Sequence, residues 1–401
     1  MDTRTHVALV TRIFVPEVAA ASFRLSGMVR AVAARGHRVS VITTTPPQPA
    51  DGQDAPQPVS FDGDVSVSRW PALRNRDGQL RGYLPYMSFD IPAALRLIAT
   101  PRPSVVVNEP PPTTGAVVAT ICRLRQLPHV YYAADVWSDA SATAGAPNLV
   151  VRVVRALESY AYRSADLVVC VTDQLEARVK ELGAKYTVLV RNGIDTDVFT
   201  ADGPRPADAP VGRYLLYAGT ASPWQGADIF IRAFKKVRDA LPDVHLVFLG
   251  QGAQWDELVE CAAGDERIHF LPTAAPAVAA AWQRAASATL VSLAPDSGVD
   301  AAYPTKILSS LSCGTPVVYC GPGPARADIE EHNLGWVCDY DADELASTLT
   351  EAVNASPDRP HLRRWVIDNR SLVKTGEAVA DAILAVAAAG RRGRRARRKD
   401  R

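Results

Sequence analysis

The chain begins with an apolar run, residues 6–11 (HVALVT), that has the length and composition of a buried strand. Residues 23–35 then place apolar side chains at helical spacing, and Gly36 follows as a helix stop. Residues 38–43 (RVSVIT) form a second strand-like run. A strand, a helix and a strand in this order predict a βαβ unit, whose two strands lie parallel in one sheet.

The same alternation continues to about residue 191 and, after an interruption, from residue 214 to residue 353. The interruption is the turn NGIDTDVF (192–199) followed by a loop at 200–212 that contains three prolines, which we interpret as a linker. The pattern predicts an α/β fold of two Rossmann-like, doubly wound parallel-sheet domains. We place these domains at residues 1–199 and 200–369, with a helix at 370–389 that returns to the first domain and a basic, disordered tail at 390–401.

The most informative stretch is residues 303–318, YPTKILSSLSCGTPVV. Pro304 suits the first turn of a helix, and Gly314 suits its end, before a buried strand. Thr305 and Lys306 therefore lie at a helix N-terminus, where free backbone N–H groups and a lysine form an anion site. The alternative is an ordinary helix with a lysine on its surface.

Two glycine-rich turns follow predicted strands of the same domain. They are Gly219–Gly226 (GTASPWQG) and Gly250-Gln251-Gly252. Either turn alone is compatible with a tight turn that has no ligand. Together with Lys306 they place three loops at the carboxyl edge of one sheet, where α/β proteins bind ligands, and this convergence predicts a nucleotide or phosphate ligand.

Charge and composition narrow the class of protein. The last eleven residues hold eight basic residues and one acidic residue, so the net charge of +1 leaves −6 on the rest of the chain. A basic body that would bind nucleic acid is therefore absent, whereas the tail suits an anionic membrane surface. The seven histidines lack metal-ligand spacing, and we interpret Asp195 and Asp197 as turn residues, so no metal is predicted.

The six cysteines show no C-x-x-C pair, which favours reduced thiols in the cytoplasm over a disulfide framework. No signal peptide or membrane-spanning helix is predicted, so any membrane contact is expected to be peripheral.

These segments together resemble the retaining glycosyltransferases of family 4, which have the GT-B fold of two facing Rossmann-like domains. The resemblance runs to about residue 389. It is carried by FVPEVAAASFRLSGMVRAVAARGHRVSVIT, NEPPPTTGAVVA, DVWSD, VLVRNGIDTDVF, GTASPWQG, LGQG and PTKILSSLSCGTPVV. The turn with Gln225 and Gly226 resembles the branch that transfers amino sugars in bacterial surface-polysaccharide assembly.

The resemblance implies that the second domain binds a nucleotide-diphosphate sugar and that the first domain and the cleft hold the acceptor. The donor-binding residues would be Gly219, Thr220, Gln225, Gly226, Gly250, Gln251, Gly252, Leu271, Thr305, Lys306 and Ser309. Acceptor-side residues would be Arg24, Glu109 and Asp135. Lys306 and Asp135 would be the catalytic residues, the first at the leaving diphosphate and the second orienting the acceptor hydroxyl.

The expected function is transfer of a sugar from a nucleotide-diphosphate donor, with retention of configuration, to a sugar or lipid-linked acceptor. It needs neither cofactor nor metal if Lys306 and the backbone amides stabilise the leaving diphosphate. Ser309 and Ala301 stand where the family usually has Glu. Two alternatives follow, a nucleotide-sugar 2-epimerase and a non-catalytic sugar-nucleotide-binding protein.

Overall fold

The structure, a computed structural model, describes residues 4–17, 19–47, 59–74, 83–143, 145–295, 297 and 302–399. The chain divides into two compact units. One unit joins Met1–Asn192 to Leu372–Arg401, and the other is Gly193–Ser371. Ala301 lies outside the described residues.

The first unit is built on a parallel sheet of seven strands, β1 (His6–Val10), β2 (Arg38–Thr44), β3 (Val65–Trp70), β4 (Val105–Asn108), β5 (His129–Ala133), β6 (Leu167–Cys170) and β7 (Thr187–Leu189). Their order in the sheet is β3-β2-β1-β4-β5-β6-β7. Its helices within the first 192 residues are α1 (Ala20–Ala34), α2 (Tyr83–Ala99), α3 (Pro112–Arg125), α4 (Trp137–Thr143), α5 (Asn148–Ser164) and α6 (Asp173–Glu181). The central strands β1 and β4 are rich in Val and are buried on both faces apart from half-buried His6, as parallel strands between helices require.

The second unit has a parallel sheet of six strands, β8 (Arg213–Thr220), β9 (Val244–Gln251), β10 (Ile268–Leu271), β11 (Ala288–Ser292), β12 (Val317–Cys320) and β13 (Gly335–Cys338). Their order is β10-β9-β8-β11-β12-β13. Its helices are α7 (Asp228–Val237), α8 (Trp255–Ala262), α9 (Pro276–Ala285), α10 (Thr305–Ser312), α11 (Ala325–Glu331), α12 (Ala342–Asn354) and α13 (Arg359–Arg370). The predicted α/β class with doubly wound parallel sheets is confirmed.

The strand order of each sheet reverses at its centre, between β1 and β4 in the first unit and between β8 and β11 in the second. At such a point the loops after the two neighbouring strands run to opposite faces of the sheet and leave a crevice at the carboxyl edge. The topology therefore places a ligand site at the ends of β8 and β11, and a second one at the ends of β1 and β4.

The chain returns to the first unit through its last helix, α14 (Leu372–Lys399). The backbones of α1 and α14 come so close that a Cβ on Gly27 would lie 3.0 Å from Leu372 Cγ, and a Cβ on Gly376 would lie 2.6 Å from Gly27 O. Buried Val379 and Ile383 of α14 join the core of the sheet. The C-terminal helix is thus part of the first unit's core.

Two predicted boundaries differ from the structure. Residues 193–199 belong to the second unit, because Ile194 donates a backbone hydrogen bond to Arg370 O (2.8 Å) and Arg363 donates to Phe199 O (3.0 Å). The predicted disordered tail is also wrong in part, because the backbone of α14 stays helical to Lys399. Arg, Lys and Ala have high helix propensity, so the basic sequence continues a helix that is already formed.

In the part of the chain that the structure describes, no helix is both long enough and apolar enough to cross a membrane.

Candidate functional site

Lys306 lies in the first turn of α10, directly after Thr305, and its side chain reaches across to the end of β8. Its Nζ donates to Tyr217 Oη (2.7 Å) and to Thr220 O (3.1 Å). The ammonium also lies 3.9 Å from the centre of the Tyr217 ring, a cation–π contact. Both oxygens are uncharged, so the lysine is held in place without its charge being neutralised.

The electrostatic surroundings of Lys306 favour an anion. Burial lowers the pKa of Lys306 to about 7. Among the residues that the structure describes, no Asp or Glu forms an ion pair with it. A bound anion would supply the missing countercharge and raise the lysine pKa again.

The backbone at the end of β8 passes directly beneath this lysine. Gly219 has φ +124°, and a Cβ there would lie 2.9 Å from Lys306 Cε. The end of β9 runs beside it, since Gly250 pairs with Gly219 in the sheet and a Cβ on Gly250 would lie 2.0 Å from Gly219 O. Gln251 ends β9, its backbone oxygen accepts a hydrogen bond from Ala221 N (2.7 Å), and Gly252 begins the loop that follows. The three predicted loops therefore meet at one edge of the sheet.

The N-terminus of α10 is open at this edge. Its N-cap, Pro304, has no side chain that could accept a hydrogen bond from the helix, and Thr305 is exposed. The first amides and the positive end of the helix dipole thus face the same region as the Lys306 ammonium, as in phosphate-binding helices.

Gln225, which the resemblance places among the donor-binding residues, turns its side chain away from this region. It is buried, and its Oε1 accepts from Ser222 N (3.1 Å) and lies 2.9 Å from Tyr217 Oη. Its backbone oxygen accepts from Ser292 Oγ (2.6 Å). Gln225 therefore stabilises the turn from inside, while Gly226 O accepts a hydrogen bond from Tyr340 Oη (2.7 Å).

Ser309 is also turned inward. It is 6% exposed, its Oγ donates to Lys306 O (2.9 Å), and Gln283 Nε2 donates to that Oγ (3.0 Å). A hydroxyl engaged in this way is not presented to a ribose, so the predicted contact with the donor is not supported. Leu271 ends β10, which is an edge strand next to β9, and it packs partly buried beside Leu249.

In the first unit, Arg24 and Glu109 are bound to each other. Arg24 Nη2 lies 3.2 Å from Glu109 Oε2, and Thr11 Oγ1 donates to Glu109 Oε1 (2.6 Å). Arg24 also stacks over the Tyr132 ring at 4.9 Å. Burial raises the Glu109 pKa, and Arg24 partly offsets that rise. This pair is buried, which suits an internal brace at the ends of β1 and β4 better than direct contact with an acceptor.

Asp135 differs from that pair. It follows β5, its side chain is exposed, and it has no hydrogen bond or ion pair among the residues that the structure describes. Desolvation by the surrounding protein raises the Asp135 pKa, and Arg24 opposes the rise. An open carboxylate near a switch point can accept a hydrogen bond from a substrate hydroxyl.

Two functional candidates were missed in the sequence. Tyr217 lies inside an apolar strand, where an aromatic residue is ordinarily read as core, yet its hydroxyl is the hydrogen-bond partner of Lys306. Arg12 is the second residue after β1. It is buried, and its guanidinium lies 4.6 Å from the centre of the Tyr86 ring and 5.5 Å from the centre of the Trp137 ring. No sequence signal identified either residue, because both contacts join segments far apart in the chain.

Comparisons with known proteins agree with this architecture. Residues 24–198 match the model of Glycosyltransferase Family 4, and residues 212–355 match that of Glycosyl transferases group 1. The phosphatidyl-myo-inositol mannosyltransferase of Mycobacterium tuberculosis is 23% identical over 349 residues, which cover 85% of this chain and 84% of that protein.

A glycogen synthase of Mycobacterium tuberculosis is 30% identical over 114 residues. That alignment spans 28% of this chain and 27% of the synthase. Among solved structures, Anabaena Alr3699/HepE in complex with UDP and glucose superposes with a TM-score of 0.63 at 17% identity, covering 94% of this chain and 98% of that one.

Proposed function

Because the chain belongs to the family 4 glycosyltransferases and has their GT-B fold, we propose that it transfers a sugar from a nucleotide-diphosphate donor to an acceptor with retention of configuration. The observation that carries the proposal is the Lys306 ammonium, which is held over Gly219 at a helix N-terminus without a countercharge in the described residues. That arrangement suits a diphosphate.

The chemistry needs a stabilised leaving group. When the bond from the sugar to the diphosphate breaks, negative charge grows on the bridging oxygen, and donors already in position lower the barrier. Lys306, the first amides of α10 and the Gly219 turn are such donors. They compensate the charge without a metal, which is therefore not required by the proposal.

The acceptor is proposed to bind at the first unit. Asp135 would accept a hydrogen bond from the attacking hydroxyl and orient it, while the Arg24–Glu109 brace holds the ends of β1 and β4. No side-chain nucleophile is needed in a front-face route, in which the departing phosphate oxygen accepts the proton of the acceptor hydroxyl.

Two relatives support the substrate class. The HepE structure contains UDP and glucose, and the mannosyltransferase relative acts, by its name, on phosphatidyl-myo-inositol. We propose a nucleotide sugar as donor and a sugar or lipid-linked acceptor, with an amino sugar as the donor group to be tested first. Free cysteines and the basic C-terminus are consistent with a cytoplasmic protein in peripheral contact with an anionic membrane.

The test is donor turnover with and without acceptor. We expect release of nucleoside diphosphate that depends on a lipid-linked acceptor, and a product whose anomeric configuration, read by NMR, equals that of the donor. Acceptor-independent release of an epimerised sugar would identify a 2-epimerase. Tight donor binding without any turnover would identify the non-catalytic alternative that Ser309 suggests.

A further inference from the structure

The outer side of α2 carries a stripe of exposed aliphatic side chains. Leu84, Ile91, Leu95 and Ile98 are 69%, 54%, 65% and 55% exposed. Their spacing of seven, four and three residues places them on one narrow face of the helix, about 21 Å long at 1.5 Å per residue. The inner side of the same helix is buried through Phe89 and Leu97. A helix that is apolar on both sides has an outer face suited to a partner.

The stripe continues onto the neighbouring edge of the sheet. Trp70, the last residue of β3, is 51% exposed, and Leu73 is 60% exposed. Leu73 N donates a hydrogen bond to Ser88 Oγ (2.9 Å), and Ser88 lies between Leu84 and Ile91 along the helix. We define these six residues, Trp70, Leu73, Leu84, Ile91, Leu95 and Ile98, as the α2 face.

The segments around the C-terminal half of the α2 face are poor in acids. Residues 91–108 and 110–134 contain no Asp or Glu, and Asp90, which precedes Ile91 in α2, is buried. At the other end of the face, Glu17 is ion-paired with Arg74. At the C-terminal end of α2, Arg125 donates to Leu97 O (2.7 Å) and to Thr100 O (3.2 Å), and Arg102 donates to Gln126 O (3.2 Å). These contacts hold the ends of α2 and α3 together, so their arginines border the apolar stripe.

The basic end of the chain starts at the same corner. A Cβ on Gly390 would lie 2.4 Å from Pro128 Cγ, so α14 passes directly beside the segment that follows α3. Residues 391–399, which come next, contain seven Arg and Lys and no acid. An apolar stripe beside so much positive charge complements an anionic lipid surface, to which basic residues are attracted. A second copy of the chain would bring like charges together.

We propose that the α2 face is the surface by which the first unit docks on an anionic phospholipid membrane. Its aliphatic side chains and Trp70 enter the boundary between headgroups and acyl chains, while the arginines and the C-terminal residues contact lipid phosphates. The proposal rests on the membrane contact proposed above and not on the transfer chemistry. Because salt screens only the charge interactions, the apolar α2 face should provide membrane binding that persists at high ionic strength.

The test is cosedimentation of the full chain with vesicles of phosphatidylcholine alone or mixed with phosphatidylglycerol. The test variant is Ile91→Gln/Leu95→Gln/Ile98→Gln. The control is Val259→Gln/Val278→Gln, which changes exposed residues, 44% and 48%, on helices of the second unit. We expect the test variant to lose at least about tenfold in partitioning to the mixed vesicles, since burying an aliphatic side chain is worth roughly 1.5–3 kcal/mol and each 1.4 kcal/mol is tenfold.

Residual binding of the wild type in about 0.5 M salt should disappear in the test variant. Equal partitioning of wild type and test variant would overturn the proposal. It would also be overturned if the wild type were a dimer without vesicles and the test variant a monomer, because the face would then be a self-interface. Nucleotide release with a short, water-soluble acceptor is measured in parallel. If the test variant releases nucleotide at the wild-type rate, its loss of vesicle binding concerns docking alone and leaves the proposed transfer reaction intact.

Discussion

At the scale of single residues, Lys306 is the group on which the proposed chemistry depends most. It is held by a phenol and a carbonyl oxygen, neither of which can neutralise it. Its neighbour in the turn, Gln225, is neutral and faces inward, so the lysine has no second cation beside it in that turn.

Replacing Lys306 by Ala should lower the turnover rate by about 10²–10³, by analogy with the loss of one transition-state donor. The loss of turnover should exceed the loss of donor affinity, because charge on the bridging oxygen grows toward the transition state. Nucleotide release at saturating donor, beside a melting curve, measures both. Lys235→Ala is the control, since Lys235 contacts Cys261 O on the outer side of the unit. A folded Lys306→Ala protein with more than half of wild-type turnover would refute the assigned phosphate site.

Donor binding should weaken as the pH rises through about 7. In the free protein the Lys306 pKa is lowered to about 7, so the amine is increasingly neutral above that pH, whereas the diphosphate binds the charged form. The affinity gained from the charge is complete well below the free pKa and falls up to tenfold per unit above it. Calorimetry with an intact nucleotide sugar at about pH 6 and about pH 8.5 tests this, with Lys306→Ala expected to show no such dependence.

Residue roles were predicted unevenly from the sequence. The pattern placed Lys306 and the glycine turns at one edge because strand and helix periodicity determines which loops follow which strands. Ser309 and Gln225 could not be placed in the same way, since their inward orientation depends on partners such as Gln283 and Tyr217 that lie elsewhere in the chain.

At the scale of elements, the end of β8 is shaped by its contact with Lys306, whose side chain lies over Gly219. Gly219→Ala should lower turnover about tenfold or more, because the new methyl group would lie 2.9 Å from Lys306 Cε in a backbone conformation with φ +124°. Gly264→Ala is the matched control, as its φ is +73° and nothing lies within 4 Å. It should cost about 1 kcal/mol of stability and leave turnover unchanged. Equal turnover losses in the two variants would show that backbone strain, and not Lys306, is responsible.

The contact between α1 and α14 should be intolerant of bulk. Gly376→Leu should destabilise the first unit by about 1–3 kcal/mol, since even a Cβ would lie 2.6 Å from Gly27 O and the helices would have to separate. Val373→Leu, at a position 62% exposed on the same helix, should leave the melting temperature nearly unchanged. Thermal unfolding of both variants provides the comparison, and a Gly376→Leu protein as stable as wild type would contradict the close packing.

Three helices, α4, α11 and α13, were not predicted from the sequence. Two of them, α4 and α11, have only seven residues, too few for a helical period to show. The N-terminus of α4 is fixed from a distance, since Glu158 accepts hydrogen bonds from Trp137 N (2.6 Å) and Ser138 N (3.0 Å).

At the scale of the whole molecule, the repeated βαβ pattern was sufficient to predict two parallel sheets. The boundary between the units was predicted several residues late because composition marks a proline-rich loop. Residues 193–199 are instead tied to α13 of the second unit by a backbone hydrogen bond from Ile194 and a side-chain hydrogen bond from Arg363. Such pairings between distant segments have no local signature.

The second unit, Gly193–Ser371, is one continuous segment, and the first unit is closed by a helix at the other end of the chain. During translation the ribosome therefore releases a complete second unit while the first still lacks α14. A chain truncated after Ser371 should leave the surface of α1 around Gly27 uncovered and bind chaperones or aggregate, whereas residues 193–371 alone should fold cooperatively. Limited proteolysis of the two fragments tests this order of folding, in which the first unit is translated first but completes its core only after the second unit has been made.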